Sequence, residues 1–159
     1  SIFLKMNSLT DRQLIDALKE ASQAGVKIKM IIRGICCILP GIEGKTDNIE
    51  VISVVGRFLE HSRIFCFGTG ENMKMYIASA DWMTRNTENR VEIAAPIYDQ
   101  KIKNSIYDTL RIMWKDNLKA RILCSNGTYK KPEIKEGDEL IDCQNYLRHE
   151  YKVGRKIKL

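Results

Sequence analysis

The sequence predicts an α/β sandwich built on a mixed, largely parallel sheet flanked by helices. Strand-like apolar runs alternate along the chain with amphipathic helical stretches, the pattern that packs helices onto a sheet. A length of 159 residues with 44% hydrophobic residues is enough to bury one ordinary core, so a single domain is expected. No internal repeat or low-complexity segment interrupts the pattern.

The elements follow in order. The chain opens at Ser1-Ile2-Phe3-Leu4, inside a strand and without an initiator Met, as a fragment of a longer protein would. Thr10 with Gln13 gives a capping-box signature; Leu14, Ile15, Leu18 and Ala21 share a helical face, and Gly25 stands where that helix should stop. Val26 to Ile32 reads as a strand, and Gly34 to Asn48, with Pro40-Gly41 and Gly44, as a loop. Further strands are expected at Ile49 to Val55, Arg63 to Phe67, Met73 to Ser79 and Val91 to Ile97, with a helical turn at Arg57 to His61. Asp99 caps a second helix whose Ile102, Ile106, Leu110 and Met113 share a face, and Leu118 to Leu123 is a last strand. Beyond it, residues 126–159 read as a C-terminal basic extension of the same domain, with Lys152, Arg155, Lys156 and Lys158 clustered at its end.

The net charge of +6, from 26 basic and 20 acidic residues, favours polyanionic partners such as nucleotides, polyphosphate or nucleic acid. RNA and DNA binders usually interleave aromatic stacking positions with basic ones, and no such stripe occurs, so nucleic acid is disfavoured. No run reaches the roughly 18 apolar residues of a membrane span, and no signal-peptide pattern opens the chain. Cysteines at 36, 37, 66, 124 and 143 form no C-x-x-C pair and are odd in number, which argues for a reducing cytoplasm and against a disulfide framework or zinc site.

The chemistry concentrates around one of the chain's two histidines. Leu59-Glu60-His61-Ser62-Arg63-Ile64-Phe65 is followed by Tyr76-Ile77-Ala78-Ser79-Ala80-Asp81-Trp82-Met83, then Arg85-Asn86 and Arg90-Val91-Glu92. Residues two apart on a strand share a face, so His61 and Arg63 can address one phosphoryl group together. Histidine serves as nucleophile or proton carrier near neutral pH, whereas arginine keeps its charge and offers a planar donor fork to phosphate oxygens. The stretch therefore reads as half of a phosphoryl-transfer site; the plainer alternative is a histidine that only packs. Arg33 ends its strand just before Gly34, at the carboxyl edge where open α/β sheets collect ligands, although by spacing alone a surface ion pair is the better reading.

The stretch from Ile49 to Asn117 resembles the phospholipase D superfamily repeat, in which H-x-K on a strand precedes G-S-x-N, an Arg and a Glu. The matching residues are His61-Ser62-Arg63, Ala78-Ser79-Ala80-Asp81, Arg85 and Glu92. Arg63 stands where hydrolases keep Lys, Gly68 where they keep Asp, and Asp81 where they keep Asn, which weakens a hydrolase assignment.

A second resemblance accommodates these departures. Lys5-Met6-Asn7-Ser8-Leu9, Ala21-Ser22-Gln23-Ala24-Gly25-Val26, Ile32-Arg33-Gly34-Ile35-Cys36-Cys37, Leu39-Pro40-Gly41, the run from Val54 to Arg63 and Ser79-Ala80-Asp81-Trp82-Met83-Thr84-Arg85-Asn86 look like the C-terminal phospholipase-D-like domain of bacterial, long-chain-synthesising polyphosphate kinases. The resemblance runs from about Lys5 to Arg121, and assigns that domain to residues 1–125. It implies that Arg33, His61 and Arg90 contact nucleotide phosphates, with Arg63, Arg57 and Arg85 as weaker candidates, and that Ser79 and Asp81 orient His61 or Arg90 or simply close the hairpin. It implies an ATP-polyphosphate phosphotransferase using ATP/ADP and Mg²⁺, cytoplasmic, homo-oligomeric when complete, whose phosphorylated histidine sits in a preceding, homologous domain. None of these positions is expected to ligate a metal. Two alternatives remain: a phosphodiesterase or nuclease of the superfamily, and a non-catalytic polyanion-binding module.

Overall fold

Strand alternation sorts the apolar side chains into two cores, one on each face of a single eight-stranded sheet, in a computed structural model that describes residues 1–152. The elements are β1 (Ile2–Met6), α1 (Arg12–Gln23), β2 (Ile28–Ile32), β3 (Ile49–Val54), β4 (Arg63–Phe67), β5 (Lys74–Ala78), α2 (Thr84–Asn89), β6 (Ala94–Ile97), α3 (Gln100–Trp114), β7 (Ala120–Leu123), β8 (Tyr129–Lys130) and α4 (Cys143–Lys152). Their spatial order is β6-β5-β4-β1-β2-β3-β7-β8. Leu4, Met6, Met30, Ile32 and Val51 pack with Ile15 and Leu18 of α1, whereas Phe3, Ile31, Ile52 and Ile64 pack with Leu110 and Met113 of α3 and Cys143 of α4. Burial on both faces is why the central strands are apolar at nearly every position.

The mixed sheet is as expected, but its parallel part is smaller than the sequence implied. Only β1–β2 and β2–β3 are parallel; β1–β4, β3–β7, β4–β5, β5–β6 and β7–β8 are antiparallel. A long crossover connection is needed to keep direction: α1 supplies it between β1 and β2, and the loop over residues 33–48 supplies it between β2 and β3. β4 and β5 instead join through a short reversal in which Gly68 and Gly70 both adopt positive φ, +85° and +59°.

Smaller differences have local causes. Asp11, not Thr10, caps α1: its carboxylate accepts from the Leu14 N–H at 3.1 Å, while the Thr10 and Asp11 N–H groups both reach the Trp82 carbonyl. The turn expected at Arg57 to His61 is irregular loop, and β6 begins at Ala94 rather than Val91. The expected loop between β2 and β3 and the Asp99 cap are as anticipated, and Ile106, Leu110 and Met113 of the expected α3 face reach the core, whereas Ile102, in the first turn, is 51% exposed. Within residues 126–152 lie β8 and α4, and Ile141 and Cys143 are buried against the domain. Of the clustered basic residues, Lys152 ends α4, while Arg155, Lys156 and Lys158 lie outside the described residues. No helix of the described residues is long and apolar enough to cross a membrane.

Candidate phosphate-binding site

Register places the candidate residues along one edge of the sheet. β1 ends at Met6 beside the end of β2 at Ile32, β4 begins at Arg63 opposite Ala78 at the end of β5, and β6 begins at Ala94 opposite the same Ala78. The connections leaving this edge carry Asn7, Arg33, His61, Ser79, Asp81, Arg90 and Glu92.

A buried polar network ties them together. Asp81, 6% exposed, accepts from the Asn7 N–H at 2.7 Å and from its side-chain amide at 3.2 Å. Arg63 closes a bidentate pair on the same carboxylate, Nε to Oδ1 at 3.1 Å and Nη2 to Oδ2 at 3.0 Å. Burial raises the Asp81 carboxyl, but the Arg63 hydrogen bonds and charge together with the Asn7 donors outweigh it and hold Asp81 below its usual range. Arg33 Nε donates to Asn7 Oδ1 at 3.1 Å, and Arg63 Nη1 donates to the His61 carbonyl at 2.9 Å. Arg33, Asn7, Asp81, Arg63 and the His61 backbone thus form one hydrogen-bonded chain.

Lys5 anchors the other side. Strand alternation turns it inward on the face of Phe3, and at 2% exposure its ammonium reaches Ser62 Oγ at 2.8 Å, the Ser62 carbonyl at 3.1 Å and Glu60 Oε2 at 3.6 Å. Desolvation lowers the Lys5 pKa and the charges of Arg33 and Arg63 add to that, while Glu60 opposes it.

Against this rigid base, the groups suited to an incoming anion are open. His61 is exposed in the loop before β4, so it does not share the strand with Arg63, and its imidazole has no hydrogen bond among the described residues. The two terminal nitrogens of Arg33 are likewise without partners among the described residues, as is the exposed guanidinium of Arg90, which follows α2. Hydrogen bonds from Ser79 and Asn86 hold the Glu92 carboxyl below its usual range, with smaller contributions from the charges of Arg90 and Arg63. Ser79 also accepts from the Ile93 N–H at 3.0 Å, closing the base of the loop that carries α2 and Arg90. Asp81 lies on Arg63 and Asn7 rather than on His61 or Arg90. Arg57 stacks over the Phe58 ring at 5.7 Å and Arg85 is exposed on α2.

Chemically, this edge of the sheet carries Arg33, Arg90 and an exposed imidazole without a hydrogen bond among the described residues. A cavity of about 380 Å³ lies elsewhere, lined by Val51, Ile52, Trp114 and Ala120 among others. No cluster of three or more His, Cys, Asp or Glu side chains fit to hold a metal occurs among the described residues. Asp81, Glu92 and Glu60, the carboxylates on this edge, already have their oxygens held by protein donors, so the donor set does not fit Mg²⁺. Sequence reasoning missed Lys5 and Asn7 as site-building residues; a lysine inside the apolar strand Ile2–Met6 was the available signal for the first.

A family model described as "Polyphosphate kinase C-terminal domain 2" matches residues 1–144. The chain is 52% identical over 143 residues to a polyphosphate kinase of Bacillus anthracis, covering 90% of this chain and 20% of that protein. It is 46% identical over 158 residues to one of Staphylococcus epidermidis, covering 99% and 21%. It thus spans about a fifth of the length of the curated relatives it matches. The crystal structure of polyphosphate kinase from Porphyromonas gingivalis superposes with a TM-score of 0.90 at 38% identity, over 96% of this chain and 23% of that one. NucT from Helicobacter pylori shares the fold, with a TM-score of 0.56 at 15% identity over 72% of this chain and 78% of that one. The chain belongs to the polyphosphate kinase family and corresponds to the second of its C-terminal domains.

Proposed function

We propose that this domain forms the phosphate-gripping half of an ATP-polyphosphate phosphotransferase site, with Arg33, His61 and Arg90 on the nucleotide or polyphosphate oxygens. The observation that carries the reading is the exposed, unbonded His61 imidazole on the sheet edge that also carries Arg33, whose terminal nitrogens have no partner among the described residues, and the exposed Arg90, with the Asp81–Arg63 network fixing the His61 backbone and, through Asn7, Arg33. In the whole enzyme, a histidine nitrogen of the preceding domain attacks the γ-phosphorus of ATP, the bond to the β,γ-bridging oxygen breaks, and ADP departs with that electron pair. The phosphohistidine then passes the phosphoryl group to a terminal polyphosphate oxygen, and both steps run in reverse.

The chain's own residues act on charge and position. Arg33 and Arg90 neutralise the oxygens of the transferring group, and His61 holds a phosphate oxygen or carries its proton. Arg63 serves indirectly, holding the His61 backbone through its carbonyl rather than reaching for phosphate first. Mg²⁺ belongs to the whole enzyme's reaction in this reading, as do the preceding domains, homo-oligomerisation and a bacterial cytoplasmic setting. Division of the chain into residues 1–125 and a basic extension over 126–159 is likewise part of the proposal. A phosphodiesterase reading is disfavoured because Arg63, in the place of the hydrolase Lys, is tied to Asp81.

Titrating the chain with tripolyphosphate while following imidazole resonances tests the reading, since only His61 and His149 contribute. Saturable shifts at His61, abolished by Arg33→Ala, support it; a response confined to His149, or none, refutes it.

A further inference from the structure

We infer that Gln144, at the start of α4, is a positioning residue for His61, a role that rests on the phosphate-site reading above. Its side-chain amide closes a complementary pair on a backbone far away in sequence: Oε1 accepts from the Phe58 N–H at 2.9 Å, and Nε2 donates to the Phe58 carbonyl at 2.8 Å. Nε2 also donates to Glu60 Oε1 at 3.0 Å, the residue before His61. Glu60 is thereby held from two sides, by Gln144 on one carboxylate oxygen and by Lys5 at 3.6 Å on the other.

This clamp answers a structural need. Residues Val55 to Leu59 are exposed and have no helix or strand of their own, with Val55 and Leu59 more than 60% exposed, so nothing apolar packs the loop down. Gln144, 6% exposed, supplies the missing constraint in the form of backbone-like hydrogen bonds. Gly56 completes the fit: a Cβ there would lie 2.5 Å from Gln144 Oε1, so a methyl at this position would push the amide off the loop, although the φ of Gly56 is not in the left-handed region. The segment read from sequence as a trailing extension thus reaches back, through α4, to the loop that presents the histidine.

The test uses the 159-residue chain with three changes: Gln144→Leu, which keeps bulk and removes the three bonds; Gly56→Ala, which pushes from the opposite side; and Gly56→Ala with Gln144→Ala, where the truncated side chain leaves room for the methyl. Amide hydrogen exchange at Phe58 to Ser62 reads the clamp, with the β1–β3 amides as reference, and tripolyphosphate binding followed at the His61 ring reads its use. Gln144→Leu and Gly56→Ala should each speed exchange in the loop by about tenfold or more while leaving β1–β3 protection intact, and should weaken tripolyphosphate binding several-fold. The double variant should lose less than the sum of its two single changes. Unchanged loop exchange in Gln144→Leu, a uniform loss of protection across the sheet, or a loosened loop with unchanged tripolyphosphate affinity each overturns the inference. If the unmodified chain gives no tripolyphosphate response at His61, the phosphate reading falls and the positioning role with it, while the exchange data still decide whether Gln144 holds the loop.

Discussion

Replacing Asp81 by Ala should be among the most destabilising single changes at the site. It removes the bidentate partner of Arg63, the acceptor of the Asn7 N–H and the acceptor of the Asn7 amide at once. Breaking a buried ion pair by deleting one partner costs about 3–5 kcal/mol. The Arg63 and Asp81 side chains are 13% and 8% exposed, so some water reaches the stranded guanidinium and the lower end, about 3 kcal/mol, applies. For a domain of this size each kcal/mol moves the thermal midpoint by about 2–4 °C, giving a fall of about 6–12 °C. Asp81→Asn keeps one acceptor for the Asn7 N–H but loses the charge and one oxygen, and should cost about half as much. Urea unfolding followed by circular dichroism at pH 7 measures both. The carboxyl sits below its ordinary value of 3.8, so its contribution is fully present above that pH and disappears as pH falls through the lower folded value. The gap between the unmodified chain and Asp81→Asn should therefore narrow in that acid range and nowhere above it. A loss under about 1 kcal/mol for Asp81→Ala, or a gap insensitive to acid, would refute the view that this carboxylate organises the site.

Other outcomes follow from the same geometry. Arg33→Lys and Arg90→Lys, in a full-length polyphosphate kinase carrying this domain, should lower synthesis substantially because the charge stays but the planar fork is lost. Arg111→Lys is the control: Arg111 is exposed on α3, 3.7 Å from Asp108, in a pair worth about 0–1 kcal/mol, and its replacement should leave synthesis unchanged. The 159-residue chain alone, given ATP, Mg²⁺ and a polyphosphate primer, should show no turnover, since the histidine that takes the phosphoryl group is proposed to lie outside it; robust turnover would remove the two-domain reading. Lys5→Met should loosen the Glu60–Ser62 segment in hydrogen exchange, because three bonds from the ammonium to that loop disappear. Unaltered exchange there would show that Lys5 only fills space.

What was legible in the sequence was what short-range pattern determines. The strands at Arg63 to Phe67 and Ile49 to Val54, the Asp99 cap and the Ile106, Leu110 and Met113 part of the α3 face follow from alternation, capping chemistry and 3.6-residue spacing. Pairing direction was not, because β4 runs against β1 and β7 against β3 through contacts between residues distant in sequence. The same holds at the site. His61, Arg33 and Arg90 stood out by residue type and neighbours, but the division of labour that leaves Arg63 on Asp81 and frees Arg33 depends on Asn7, which reaches Asp81 across 74 positions. Gln144 had no local signal; its partners lie 84 and 86 positions away, and glutamine near a basic tail reads as solvated surface.

The central claim, that His61 acts on phosphate rather than holding the fold, is tested most directly by His61→Ala in a full-length polyphosphate kinase carrying this domain. ATP-dependent synthesis of polyphosphate and the thermal midpoint are measured on the same preparation. Because the imidazole is exposed and without a hydrogen bond among the described residues, its loss should abolish or cripple synthesis while stability changes by no more than about 0.5 kcal/mol. Near-normal synthesis, with or without a lowered midpoint, would contradict the account.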